Sequence, residues 1–151
     1  MTTALERIRT AKRELGQDVV ILAHHYQRKE VVEQGDFVGD SYQLAKYAAA
    51  SNARRIVFCG VHFMAEAARI LARPEQRVFM PDPRAGCPMA DMADARDTVV
   101  ALTRLREMAG EKRRIIPVTY VNSNADVKAV VGHAGGLVCT SANAPKALQW
   151  A

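Results

Sequence analysis

The sequence contains few cysteines and few aromatic residues, and it has no apolar run long enough to cross a membrane. Its three cysteines, Cys59, Cys87 and Cys139, are widely spaced, odd in number and form no Cys-x-x-Cys pair. This usage argues against a zinc finger and against a secreted disulfide framework. The amino-terminal segment also lacks the apolar core of a signal peptide, so we expect a reducing, cytoplasmic location.

Aromatic residues make up 6% of the 151 residues, and no stripe of arginine and lysine is visible. Both observations argue against a protein that stacks single-stranded nucleic acid. The formal net charge of +5 permits anionic ligands, but charge alone does not choose among them. Hydrophobic residues at 49% and charged residues at 25% indicate a globular chain.

Strand-length apolar runs alternate with helical patterns along the whole chain. The predicted strands are 18–23, 56–59, 78–80, 115–120 and 137–139. The predicted helices are 3–15, 41–50, 63–72, 97–108, 125–131 and 145–150. The alternation predicts an α/β fold with a largely parallel sheet. Because the first strand is nearly continuous in apolar residues, we expect helices on both sheet faces, in a three-layer αβα arrangement.

A weak internal repeat divides the chain. Residues 20–26 resemble residues 116–122, and residues 56–60 resemble residues 137–141. The repeat predicts a first α/β domain over 1–110 and the start of a second, related α/β domain over 111–151. The second domain lacks a counterpart of the strand at 78–80, and its last helix has no cap. We therefore expect an incomplete fold at the carboxyl terminus.

Polar side chains follow most of the predicted strands. In open α/β sheets, ligands bind beyond the carboxyl ends of the strands, and helix N-termini there favour anions. The residues at strand ends and at helix starts near them are His24, His25, Tyr26, Ser41, Gly60, His62, Cys87, Tyr120, Asn122, Thr140 and Ser141. As a set, they indicate a ligand site at one edge of the sheet.

Cys87 is the most informative single residue. It lies between Gly86 and Pro88, and proline suits the first position of a helix. A cysteine at a helix N-terminus faces free N–H groups and the positive end of the dipole, which favour the reactive thiolate. A small buried thiol is an equally good interpretation of the local sequence.

Other members of the set have structural interpretations beside the functional ones. Ser41 and Asn122 could cap the helices that follow them. Cys59 and Cys139 lie in apolar runs, which favours buried core thiols over metal ligands.

His24 and His25 could be ordinary loop residues, and Tyr26 could lay its ring on the core. His62 and Glu66 are four residues apart on a predicted helix. That spacing suits a metal pair or a local side-chain pair, and we favour the local pair.

Six motifs, taken in order, resemble the quinolinate synthase family. They are His24-His25-Tyr26-Gln27, Gly39-Asp40-Ser41, residues 58–66, residues 86–91, Tyr120-Val121-Asn122-Ser123 and residues 139–144. Members of that family consist of three related α/β domains around a 4Fe–4S cluster. The resemblance covers the first domain and part of the second, so it implies that this chain is a fragment without activity of its own.

The resemblance implies a reaction and roles for individual residues. The family condenses iminoaspartate with dihydroxyacetone phosphate to quinolinate in NAD biosynthesis, with release of phosphate and water. Cys87 matches the first cysteine ligand of the cluster, and the other two ligands fall in the family's later part. Tyr26 matches the family's acid–base tyrosine. The substrate-binding positions fall on His24, Ser41, Tyr120, Asn122 and Ser141.

The implied partners are the two small-molecule substrates, with no nucleic acid and no membrane. The enzyme that supplies iminoaspartate is a candidate protein partner. The residues alone leave two other functions open. One is a basic α/β module that binds a phosphorylated ligand without catalysis, and the other is an enzyme in which Cys87 is the nucleophile.

Overall fold

The computed structural model describes residues 2–110 and 113–151, and it confirms the predicted α/β fold. The helices are α1 (Ala4–Leu15), α2 (Lys29–Val32), α3 (Ser41–Ala50), α4 (His62–Leu71), α5 (Ala95–Ala109), α6 (Ala125–His133) and α7 (Ala144–Trp150). The strands are β1 (Val19–His24), β2 (Phe37–Gly39), β3 (Arg55–Cys59), β4 (Arg77–Phe79), β5 (Val118–Tyr120) and β6 (Leu137–Cys139). No helix of these two ranges is long and apolar enough to span a membrane.

The chain forms two compact units, the first ending at Ala85 and the second running from Gly86 to Ala151. The first unit contains a four-stranded parallel sheet in the order β2-β1-β3-β4. Ala23 of β1 pairs with Val38 of β2 on one side and with Cys59 of β3 on the other. All four strands therefore end at the same edge of the sheet, which is where α/β proteins bind ligands.

One face of this sheet carries the core. Leu22, Ile56 and Phe58 are fully buried, as are Leu44 of α3 and Phe63 of α4. Each such side chain contributes about 1.5–3 kcal/mol when it leaves water. The alternation of side chains along β1 and β3 places α3 and α4 on this face.

Two helices of the first unit, α1 and α3, begin at capping boxes. Thr3 accepts a hydrogen bond from the Glu6 N–H, and the Glu6 carboxylate accepts one from the Thr3 N–H. Asp40 and Gln43 form the same reciprocal capping box at the start of α3. These caps satisfy backbone donors that a helix leaves free at its first turn.

The second unit contains a two-stranded parallel sheet of β5 and β6. Helix α6 connects the two strands and packs on both, while α5 packs on α6 and α7 packs on β6. Its buried apolar residues include Leu102, Val127, Val131 and Ala147. The first unit contains the same arrangement of two parallel neighbouring strands with a helix before the second strand, since α3 leads into β3, which pairs with β1.

Two short elements were not predicted, α2 and β2. Strand β2 has only three residues and ends in glycine, so its sequence carries little strand signal. Its pairing begins at Asp36, whose N–H donates to the Ile21 carbonyl and whose carboxylate accepts from the Ile21 N–H, each at 2.8 Å. The Asp36 side chain thus adds one hydrogen bond to the ladder between β1 and β2.

Two other predictions need correction. The predicted strand at 115–120 begins only at Val118, after Pro117, which has no N–H to donate to a ladder. The predicted α-helix start at Pro88 is wrong, because residues 88–92 form a turn and a 3-10 helix, Ala90–Met92. The contacts also group α5 with the second unit, whereas the predicted domains 1–110 and 111–151 place it with the first. The division into domains 1–110 and 111–151 therefore stays a prediction.

Candidate functional site

The end of β1 carries three aromatic rings in contact, those of His24, His25 and Tyr26. The two imidazoles stack with centroids 4.5 Å apart, and the His25 ring meets the Tyr26 ring edge-on at 4.3 Å. His24 is 6% exposed, whereas Tyr26 is 85% exposed. The interpretation of Tyr26 as a core-packing ring is therefore wrong, and its hydroxyl faces solvent at the strand edge.

His24 is held as a neutral hydrogen-bond donor. Its Nδ1 accepts from the Tyr26 backbone N–H at 3.3 Å, which assigns the ring proton of the neutral form to Nε2. Burial lowers the pKa of His24, the charge of His25 lowers it further, and Asp40 opposes both. An uncharged donor at this position can bind a carboxylate without carrying a buried charge of its own.

His25 connects this ring cluster to the next strand, a role that the sequence did not reveal. Its backbone N–H and its ring Nδ1 both reach the carbonyl oxygen of Gly39, at 3.2 and 3.1 Å. Because that oxygen can only accept, the proton lies on Nδ1 of His25. The contact fixes the end of β1 against the junction between β2 and α3, where Ser41 lies.

Ser41 is the first residue of α3 and is partly exposed. The helix is capped by the Asp40 side chain, which accepts from the Gln43 N–H at 2.8 Å. The interpretation of Ser41 as the cap is therefore wrong. The Ser41 hydroxyl is thus not needed for capping and can serve as a donor to a ligand at this helix start.

The end of β3 leads into α4 through Gly60 and His62. His62 Nε2 lies 3.4 Å from a carboxylate oxygen of Glu66, which confirms the predicted local pair. The His62 N–H donates to the Ala85 carbonyl at 2.7 Å and so fastens the chain that follows β4. Burial raises the pKa of the Cys59 thiol, which disfavours the thiolate form of this strand cysteine.

The second unit presents Tyr120, Asn122 and Ser141 after its own two strands. Tyr120 pairs with Cys139 in the sheet, and the Val121 N–H donates to the Cys139 carbonyl at 2.8 Å. The two strands therefore end side by side. Tyr120 is exposed, Asn122 is partly exposed, and Ser141 is exposed. All three are donors that a ligand at this edge could reach.

Asn122 is not the cap of the following helix, contrary to one interpretation of the sequence. The N-cap position of α6 belongs to Asn124, two residues later. The loop between them is held by Ser123, a buried residue whose hydroxyl donates to the Tyr120 carbonyl at 2.8 Å. This bond fixes the backbone on either side of Asn122.

Cys87 lies in a partly exposed loop of the second unit. Its carbonyl accepts from the Asp91 N–H at 3.1 Å, and the Asp91 carboxylate accepts from the Asn124 side-chain amide at 3.3 Å. These two bonds fasten the Cys87 loop to the start of α6. Since no α-helix begins at Pro88, a helix dipole does not support a thiolate here.

No group of three or more histidine, cysteine, aspartate or glutamate side chains that could hold a metal occurs within residues 2–110 and 113–151. Cys59 and Cys139 lie on strands in different units, and Cys87 is the one cysteine on a loop. Each unit thus gathers its own candidate residues at its own strand edge. That the two sets form one site stays a prediction.

Comparison with known proteins gives a consistent result. The family model described as quinolinate synthetase A protein matches residues 6–151. The chain is 52% identical to quinolinate synthase of Acidobacterium capsulatum over 146 residues, which is 97% of this chain and 39% of that protein. It is 55% identical to the Nocardioides sp. enzyme over 148 residues, 97% of this chain and 37% of the relative.

A third relative, quinolinate synthase of Halobacterium salinarum, is 51% identical over 150 residues, 99% of this chain and 40% of the relative. The chain therefore spans about two fifths of the length of the curated relatives it matches.

Proposed function

Because the chain belongs to the quinolinate synthase family, we propose that it supplies the amino-terminal part of an enzyme that condenses iminoaspartate with dihydroxyacetone phosphate to quinolinate. Phosphate and water leave in this reaction, which serves NAD biosynthesis. The observation that carries the proposal is the family match over residues 6–151. The polar residues at the strand edges of both units support it.

The substrate-binding part of the proposal rests on uncharged donors. His24 offers its Nε2 proton, Ser41 a hydroxyl at a helix start, and Tyr120, Asn122 and Ser141 offer hydroxyl and amide groups. Iminoaspartate has two carboxylates, each of which accepts several hydrogen bonds. Neutral donors at strand ends can bind both without adding an excess of positive charge.

Tyr26 is proposed as the acid–base residue of the condensation. Its phenol is exposed at the strand edge, while its ring contacts His25 and lies 4.9 Å from the His24 ring. A general acid or base has to reach the reacting atoms before its proton affinity matters. The exposure of Tyr26 in the first unit supports this role, because its phenol is open to a ligand at the strand edge.

Cys87 is proposed as one ligand of the family's 4Fe–4S cluster, whose open iron would act as a Lewis acid in the dehydrations. One thiol is too few to hold such a cluster, which several protein thiolates normally bind. The described residues therefore do not form a cluster site by themselves. All three cysteines are partly exposed, so exposure does not separate them. The loop position of Cys87, as opposed to the strand positions of Cys59 and Cys139, and the attachment of that loop through Asp91 are what support Cys87.

The proposed partners are the two substrates and the enzyme that supplies iminoaspartate. We place the protein in a reducing cytoplasm, which is consistent with three cysteines that form no disulfide.

The test uses a chimera in which this chain continues into the unmatched part of the A. capsulatum relative. Anaerobically purified chimera should form quinolinate from both substrates, whereas the 151-residue chain alone should not. Asn122→Ala should lower turnover at limiting substrate about tenfold to a hundredfold, because a hydrogen bond to a charged group is lost. Its iron content should stay unchanged.

Cysteine variants of the chimera test the ligand assignment. Cys87→Ala should abolish the cluster absorbance, while the matched variant Cys139→Ala should retain it. A chimera without iron and acid-labile sulfide would favour the binding module or the cysteine nucleophile. Turnover by the isolated chain, or a normal cluster in the Cys87 variant, would contradict the proposal.

A further inference from the structure

A groove of about 740 Å³ lies between α1 and the sheet of the first unit. Apolar side chains line its floor and one wall: Leu5, Ile8, Val19, Ile21, Val57 and Phe79. Polar residues such as Gln27, Glu30 and Asp82 stand at its carboxyl-edge end. Lys12, Arg28 and Gln34 line it as well, and the Lys12 ammonium is already paired with Asp36, so the floor between α1 and the strands is apolar.

The groove exists because the two faces of the sheet are covered unequally. On one face, α3 and α4 bury Leu22, Ile56 and Phe58 completely. On the opposite face, the helices that the described residues 2–85 place beside the sheet are α1 and the short α2, and Phe79 remains 43% exposed. Parallel sheets are normally covered by helices on both faces, so this face has room for a second helix.

Helix α1 does not fill the groove itself. None of its residues is buried, and its apolar side chains Leu5, Ile8 and Leu15 are each 37–40% exposed although they line the groove. A polar contact holds the helix in place, since the Lys12 ammonium lies 2.6 Å from Asp36 and donates to the Gln34 carbonyl at 3.0 Å. The apolar face of α1 therefore stands beside the groove as one of its walls.

We propose that this groove seats an apolar helix from the part of the family chain that lies outside the match. More than half of the length of each relative described above lies outside that match. The groove crosses the sheet beside α1, from Val19 and Ile21 of β1 through Val57 and Cys59 of β3 to Phe79 of β4. A short apolar helix seated there would bury the exposed wall of α1 together with Val57 and Phe79.

Cys59 lines the groove and reports directly on its occupant. The experiment measures alkylation of Cys59 by iodoacetamide at about pH 9, because a thiol of raised pKa supplies its reactive thiolate at alkaline pH. Peptide mass spectrometry follows the reaction in the 151-residue chain and in the chimera with the A. capsulatum remainder. Cys59 should react at least about tenfold more slowly in the chimera, because the seated helix excludes the reagent. This measurement does not depend on catalysis or on the cluster.

A substitution in the groove provides the second arm. Val57→Asp puts a charge under the proposed helix and should restore the Cys59 reaction in the chimera. Val38→Asp is the matched control, because Val38 is on the same sheet but outside the groove. It should leave Cys59 protected. If either chimera fails to fold, the same substitutions at the aligned positions of the intact A. capsulatum enzyme replace it, with hydrogen exchange of the β3 segment as the readout.

Two results would overturn the proposal. The first is equal reactivity of Cys59 in the isolated chain and in the chimera. The second is a concentration-dependent dimer of the isolated chain in which Cys59 is protected and which Val57→Asp dissolves. That second result would identify another copy of this chain as the occupant.

Discussion

The two units contain the same connection, a strand, a helix and a parallel neighbouring strand, but they bury it to different degrees. In the first unit, β1 has six residues and lies between two other strands, and its Leu22 is fully buried. In the second unit, β5 and β6 have three residues each, and none of those residues is buried. Burial of apolar area is the main source of stability, so the first unit should be the more stable of the two.

Truncating a leucine in each sheet tests this comparison most strongly. Leu22→Ala should cost about 3–5 kcal/mol of unfolding free energy, because it leaves a cavity in a closed core. Leu137→Ala makes the same chemical change on partly exposed β6 and should cost about 1 kcal/mol. Segment-resolved hydrogen exchange measures both costs. Equal losses at the two sites would refute the difference in burial.

Two glycines of the second unit differ in the space around their Cβ positions. A Cβ on Gly136 would collide with the carbonyl oxygen of Pro117, next to the start of β5, so Gly136→Ala should cost about 1–3 kcal/mol. Gly132 in α6 has open space at its Cβ position. Gly132→Ala should therefore stabilise the unit by about 0.5–1 kcal/mol. Thermal unfolding followed by circular dichroism distinguishes the two signs, and a destabilised Gly132 variant would count against the packing described.

Helix α3 of the first unit and helix α6 of the second unit begin differently. Asp40 caps α3 through its side chain, whereas Asn124 at the N-cap of α6 makes no capping bond and instead reaches Asp91. Asp40→Ala should cost about 1 kcal/mol, the usual value for a lost cap. Asn124→Ala should change the unfolding free energy by less than about 0.5 kcal/mol. Urea titration of both variants measures these costs. A cost of 1 kcal/mol or more for Asn124→Ala would show that the Asp91 contact, rather than capping, stabilises that end.

The sequence predicted the long elements well because their signals are local. The helix at 41–50 is correct at both ends, since Asp40 and Gln43 specify its start, and the strand at 137–139 is correct as well. Strand β2 could not be found, because its pairing depends on Asp36 contacting Ile21, fifteen residues away. The Cys87 segment was misjudged because proline fits the first position of an α-helix and also a turn.

The position of the candidate residues near strand ends was predictable, but their contacts were not, and their roles stay predictions. His25 shows this most clearly, since its bond to Gly39 requires the β1–β2 pairing that was missed. Ser41 and Asn122 lost their capping interpretations only when Asp40 and Asn124 were found at the N-cap positions.

The smallest predicted effect concerns the charge of His24. Burial in the first unit lowers its pKa below the ordinary 6.5, so the folded chain binds fewer protons there than the unfolded chain does. The stability that depends on neutral His24 is therefore complete above pH 6.5 and is lost as the pH falls through the lowered pKa. Nuclear magnetic resonance titration of the His24 ring, assigned by its absence in His24→Gln, should give a midpoint below 6.5. The unfolding free energy of the parent chain should also fall more between pH 7.5 and pH 5 than that of the variant. A midpoint at or above 6.5 would mean that the His24 ring is more open to water than its 6% exposure indicates. It would also weaken the contrast between a buried edge in the first unit and an exposed edge in the second.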